Sequence, residues 1–358
     1  MKTKFEATNP TSIGTINLVP TSVKPLIVIP QEKFLSKLRI NPWIKWLILG
    51  EILGGSAYLA VLLSNGTMVW IGQLAFMYAL AFMIEGAGPI WIKQQLEFIF
   101  PIFSSFINLS EEQIEKWYMG ELRRIFNPFG MAITGIVISV LGMVSFIVQT
   151  QWYQFPKVWW GTYAGNLVVT IVVSILAFLA GALVFVVIQL ALTINRLPRL
   201  PLKMTIYQHP MTGISMVGTI LQKVTLLGLV YFGLVAVTAF FLSPFSNNMG
   251  WVLPVWFGVG GTILFLFFII PQYSIHVAMA NAKALRIRAF TDHLSKSLEQ
   301  CIQSPTSETM ENVKELFEIY NHLLQMPKWP FNTRNLISLI TAIILPILLS
   351  IVQKIVAP

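Results

Sequence analysis

The sequence predicts an all-α fold, a polytopic transmembrane helix bundle. Three observations predict it. Only 11% of the 358 residues are charged, where a soluble domain carries about 25%. Apolar runs of about 20 residues or longer recur along the chain. Lysine and arginine are concentrated in alternate connections between those runs.

The first element is a tail, residues 1–42, rich in Pro and Thr and without the apolar core of a secretory signal. Its composition predicts disorder. Seven apolar runs follow, near 43–63, 67–89, 129–149, 162–193, 213–242, 251–275 and 335–355. Each is long enough to cross a hydrocarbon core about 30 Å thick. With the N-terminus inside, the inner segments are 1–42, 90–128, 194–212 and 276–334, and they hold nearly all the basic residues. Lys157 is the only basic residue in the outer connections 64–66, 150–161 and 243–250. The bias predicts N-inside, C-outside. Trp43, Trp46, Trp91 and Trp329 fall at inner boundaries, and Trp70, Trp152, Trp159, Trp160 and Trp251 at outer ones. Indole anchors favour that level because an apolar body carries one polar donor.

Between the second and third runs, "LEFIFPIFSSFI" is apolar but too short to span, so it lies at the interface or packs under the bundle. "LSEEQIEKWYMGELRRIFNP" then predicts a water-side helix over 110–126. Ser110 and Gln113 have capping-box spacing, Glu111 and Glu112 suit the helix start, and Arg123 and Arg124 suit its end. Asn127-Pro128 stops it. The sixth run passes Pro271 and continues, with Lys283, Arg286 and Arg288, as a helix to about Ile302. "QSPTSE" turns the chain, with Ser304 as N-cap and Pro305 at the first helical position. A second helix, "ETMENVKELFEIYNHLLQM", returns toward the membrane. Ile287, Leu294, Leu298 and Cys301 form one stripe, and Met310, Val313, Phe317, Tyr320 and Leu324 the other. The domain organisation expected is therefore a tail (1–42), a bundle (43–275), a cytoplasmic helical hairpin (276–334) and a final span (335–358).

Motifs of soluble chemistry are missing. "GVGG" at 258–261 sits inside an apolar run, where helix packing explains it. No GxSxG elbow, HExxH or paired-cysteine spacing occurs, and Cys301 is the single cysteine. No cofactor, metal or enzymatic activity is expected. The net charge of +9 is explained by the inner connections and needs no nucleic acid. His209, His276, His293 and His322 are scattered, and "NGT" at 65–67 lies too near the membrane for a glycosylation signal to carry weight. Gly50 and Gly54, Gly86 and Gly88, Gly228 and Gly233, and Gly258 and Gly261 suit close helix packing.

The informative residues are polar groups inside spans: Glu51, Glu85 and the pair Gln222-Lys223. An ionisable group in hydrocarbon costs at least about 2.5–3.5 kcal/mol, so it needs a reason. Counting about 1.5 Å per residue from the inner tryptophans puts Glu51 at about 12 Å depth and Glu85 at about 9 Å. Lys223 reaches a similar level if its span starts at Gly213, or snorkels at the boundary if the span starts at Val224. Two acids and one base then form a structural ion pair with a spare acid, or a cation or proton site. The last run carries Ser338, Thr341, Ser350, Gln353 and Pro346, candidates to line a pore.

Seven spans, N-inside, with the last fed by a cytoplasmic anchor, resemble insect chemoreceptor channels in topology alone. Two functions from different classes fit. One is an oligomeric ion channel or pore in the plasma or inner membrane, assembled from copies of the chain, with a secondary transporter as a variant. The other is a membrane scaffold, sensor or accessory subunit that docks a cytoplasmic protein through the hairpin.

Overall fold

The computed structural model describes residues 28–34, 38–63, 71–152, 163–201, 211–242 and 252–325. Every regular element among them is helical: α1 (Pro30–Phe34), α2 (Pro42–Leu63), α3 (Ile71–Phe106), α4 (Glu111–Ile125), α5 (Pro128–Trp152), α6 (Tyr163–Arg196), α7 (Met211–Leu242), α8 (Val252–Gln303) and α9 (Ser307–Gln325). A 3₁₀ turn, Leu197–Arg199, follows α6.

Five stretches are long and apolar enough to cross a membrane: Pro42–Leu63, Ala75–Pro101, Glu111–Val144, Leu167–Arg199 and Val217–Leu234. They contain the cores of the first five predicted runs. The sixth run forms the first half of α8. The seventh, with Ser338, Thr341, Ser350 and Gln353, lies outside the described residues, as does the 65–67 sequon.

Helix α3 sits at the centre, packed on α2, α6 and α7. It is longer than predicted, because "LEFIFPIFSSF" continues the helix through Pro101 and does not form a separate piece. Ile99 and Ile107 are buried there, and the Phe100 ring lies 4.4 Å from that of Tyr118. The described part of the tail also differs from expectation, while residues 1–27 lie outside the described residues. Residues 30–34 are helical, Ile29 is fully buried, and Glu32 pairs with Lys93 of α3 at 2.6 Å.

Small residues set two helix pairs at close range. A Cβ on Gly50 would stand 2.7 Å from the Ala79 Cα, and one on Gly54 2.9 Å from the Ala75 carbonyl. Between α5 and α6, a Cβ on Gly181 would stand 2.6 Å from the Thr134 carbonyl and 2.8 Å from the Gly135 Cα. Backbones approach this closely only where side chains are missing.

Helix ends follow local chemistry. Ser110 and Gln113 make the reciprocal capping box that starts α4. Asn127 does more than end α4: its side chain accepts from the Phe129 and Gly130 amides and caps α5, with Pro128 at the first position. Asn41-Pro42 repeats the device at α2.

Helix α8 runs unbroken through Pro271, and α9 folds back along it. The Lys283 ammonium donates to the Leu324 carbonyl at 2.7 Å, which fixes the antiparallel register. The cap of α9 is Thr306, not Ser304: Thr306 and Thr309 exchange side-chain hydrogen bonds with each other's amides. The seam matches the predicted stripes at Ile287, Leu294, Cys301, Val313 and Tyr320 and departs from them at four positions. Leu298, Met310, Phe317 and Leu324 are exposed, while Leu294 and Leu323 are buried. The covered positions run Lys283, Ile287, Phe290, Leu294, Ser297 and Cys301 on α8, and Thr309, Val313, Leu316, Tyr320 and Leu323 on α9. Their alternating spacing of four and three is the 3.5-residue period of a coiled coil.

Candidate functional site

Two buried polar centres stand out. One lies within the bundle and the other at its Lys93 end.

Glu85 belongs to the first. Its exposure is 0% in the middle of α3. Among the described residues the Tyr231 hydroxyl of α7 is the group presented to its carboxyl, yet no well-aligned hydrogen bond closes on either oxygen. On the adjoining helix α2, the Trp46 ring covers Gly86, and the buried indole N–H closes no hydrogen bond among the described residues. Gln272 of α8 donates to the Gly218 carbonyl at 3.2 Å while its own carbonyl oxygen is left without a partner among the described residues. Buried polar groups are normally satisfied, so these four atoms on three residues need a reason. Gln272, bound to Gly218, lies about 20 Å along α7 from Tyr231 and so at the Lys93 end, while Glu85 and Trp46 share one level.

The other predicted members of this site are elsewhere. Glu51 and Lys223 are both exposed on the outside of the described bundle. Helix contacts show why Lys223 does not reach the carboxylates. Gly88 faces Leu227, and Glu85 meets Tyr231, so the antiparallel register of α3 and α7 sets Lys223 level with Ile92 and Lys93. Gly50 faces Ala79 and Phe82, which sets Glu51 level with about Leu80. Roughly twelve residues of α3, about 18 Å, separate the two levels. Lys223 therefore sits about one level past Trp91 on the outside of α7, and Gln222 is half-buried beside it.

The second centre escaped sequence reasoning. Glu121 of α4 is buried, and its carboxylate accepts from Arg124 (2.5 Å), Arg196 (3.1 Å) and the Thr193 hydroxyl (2.7 Å). Nearby, buried Lys93 binds Glu32 and lies 3.8 Å from Glu97, and Ser274 donates to Asn195. The Glu121 carboxylate is satisfied, so its network is a docking joint for α4 on α6 and not a vacant site. The sequence signal was present: Glu121 falls on the apolar face of α4, with Ile114, Tyr118, Leu122 and Ile125.

A surface groove of about 440 Å³ lies between α5 and α6. Its serines are turned inward, Ser139 to the Ser174 carbonyl and Ser174 to the Thr170 carbonyl, which leaves an apolar lining suited to lipid tails.

Comparison of the chain with family models, with curated proteins and with solved structures finds no match.

Proposed function

We propose that this membrane-embedded protein is an oligomeric ion channel or pore in which Glu85 is the cation or proton site. The observation that carries the reading is the fully buried Glu85 carboxyl, which has no cation beside it among the described residues. Leaving an acid in hydrocarbon costs about 2.5–3.5 kcal/mol or more, and a chain that needed only stability would have an apolar residue there. The Tyr231 hydroxyl is presented to this carboxyl, and the Trp46 indole covers the neighbouring Gly86. A protonated Glu85 is tolerated in that setting. Deprotonation generates a negative charge that attracts a cation or recovers a proton.

In this reading the N-terminus and the α8–α9 arm lie inside, the side that the basic connections favour, and the membrane is the plasma or inner one. Glu51 at mid-span on the outside of α2 is best covered by a neighbouring protein surface, which supports assembly from copies of the chain. A secondary transporter using the same carboxyl is the variant within this class.

The test is flux through liposomes that contain only this protein. Glu85→Gln keeps the shape and a hydrogen-bonding side chain but removes the titrating group. The variant should fold and assemble like the parent, while its cation selectivity or the pH dependence of its flux changes. Parent-like flux across pH 5–8 would remove Glu85 from the mechanism. A parent protein that passes no ions would leave the scaffold or sensor reading, which the uncovered apolar residues of α8 and α9 favour.

A further inference from the structure

The α8–α9 arm has a second face. Its covered seam takes one heptad stripe from each helix, yet six large apolar residues of 283–325 remain outside it: Leu285 stands off to one side, and the other five lie on the two stripes next to the seam. Ile302 is 79% exposed, Met310 58% and Phe317 53%, with Leu298 and Leu324 nearly half exposed. On α9 the exposed residues recur every seven positions, at 310, 317 and 324, and Lys314 and Asn321 complete the four-three spacing. On α8 the corresponding stripe is Ala284, Arg288, Thr291, Ser295, Leu298 and Ile302. Each outer stripe sits one residue after the covered one, a turn of about 100°. In two antiparallel right-handed helices, equal steps of one residue rotate both stripes toward the same side. The outer stripes therefore share one face with roughly 500 Å² of apolar surface per chain, in the upper part of the range for the largest patch on a monomer, where such patches are often functional.

We propose that this face docks on the same face of a second copy of the chain, forming an all-antiparallel four-helix bundle in which α9 of each copy lies on α8 of the other. The membrane sets the height of both copies, so a two-fold axis along the membrane normal brings equal levels together. The Lys283–Leu324 contact then fixes which levels meet. Phe317 comes opposite Thr291, and Leu324 opposite Ala284, large against small. Met310 comes opposite Leu298. Alternation of this kind lets facing layers interdigitate. Charge agrees with the pairing. Residues 283–303 carry four basic and two acidic side chains, and residues 307–325 four acidic and one basic. Lys296 comes level with Glu311, and Arg288 within a turn of Glu318. Glu299 and Glu308 form a like-charged level at the tip, where water screens them. Doubling the patch gives roughly 1,000 Å², the threshold of a specific interface.

The proposal goes beyond the ion-passage reading and does not depend on Glu85. Its test uses the full-length chain in native membranes with Cys301→Ser as background. Leu298→Cys and Met310→Cys are made separately, on differently tagged chains, and oxidised alone and co-expressed. The co-expressed pair should give a two-chain disulfide. Each variant alone should give several-fold less, because the two α8 helices, like the two α9 helices, stand on a diagonal. Adding Phe317→Lys to both chains should reduce the product at least tenfold. Absence of the mixed product, equal cross-linking by either variant alone, capture of a different protein, or insensitivity to Phe317→Lys would each overturn the proposal. Cross-linking reads hairpin proximity whatever the flux, so a chain that cross-links but passes no ions removes only the passage reading.

Discussion

Replacing Glu121 by Ala should loosen α4 without unfolding the bundle. The wild-type carboxylate accepts three hydrogen bonds, from Arg124, Arg196 and Thr193, at 2.5, 3.1 and 2.7 Å. Breaking a buried ion pair costs about 3–5 kcal/mol when the orphaned charge stays buried. Here Arg124 is largely exposed and Arg196 partly so, and both can turn to water once released. That reduces the estimate to about 2–3 kcal/mol, near the value of a hydrogen bond or two to a charged group. The apolar face of α4, with Ile114, Tyr118, Leu122 and Ile125 buried, keeps the helix in place. The loss should appear as local opening. At a factor of ten per 1.4 kcal/mol, hydrogen exchange of the α4 amides should quicken roughly 30- to 150-fold, with α5 and α6 unchanged. Glu121→Gln should fall between parent and Ala, and Glu112→Ala, on the solvent side, should do little. Unchanged α4 exchange in Glu121→Ala would refute the view that this carboxylate holds α4 to α6.

Further outcomes are expected elsewhere in the chain. Gly181→Leu should lower thermal stability in detergent by more than the 1–3 kcal/mol of ordinary overpacking, because its new side chain meets the backbone of Thr134 and Gly135; Gly233→Leu, with open space at its Cβ, should behave like the parent. Leu294→Asp with Leu323→Asp should lower far-UV helicity and open the α8–α9 seam to protease, whereas the exposed Leu298 should tolerate Asp in the separated chain. Thr306→Val should cost about 1 kcal/mol in α9 exchange stability through the lost cap. Reporters fused after residue 305 and after Pro358 should lie on opposite sides of the membrane; finding both on one side would remove the seventh span.

The sequence made some of this legible because the signals are local. The Ser110 capping box, the passage of α8 through Pro271 and the oddity of Glu85 all follow from residues within a turn or two of each other. The pairing of α9 on α8 follows the predicted stripes at Ile287, Leu294, Cys301, Val313 and Tyr320 but not at Leu298, Met310, Phe317 and Leu324. Two stripes about 100° apart share these helices, and the large side chains of Met310, Phe317 and Leu324 belong to the uncovered one, while the covered one holds Val313, Leu316, Tyr320 and Leu323. Lys223 could not be assigned a depth from its own span, since only the facing of Gly88 and Leu227 sets the register of α7 on α3. Glu121 was hidden for a similar reason. It looks like one more charge on a charged helix until Arg196, 75 residues later, arrives beside it.

Helix α8 is 52 residues long, about 78 Å of continuous rod. Pro271, the twentieth of its residues, lacks an amide hydrogen, and a rod of this kind bends most easily at such a point. From Pro271 to Gln303 the arm measures about 48 Å, so a tilt of about 5° at the proline sweeps the tip through about 4 Å. A shift too small to disturb side-chain packing inside the bundle thus becomes, at the far end, a displacement close to one helical turn. Strain applied to the tip would work the same mechanism in reverse, delivering a larger force over a shorter travel to the residues around Gln272.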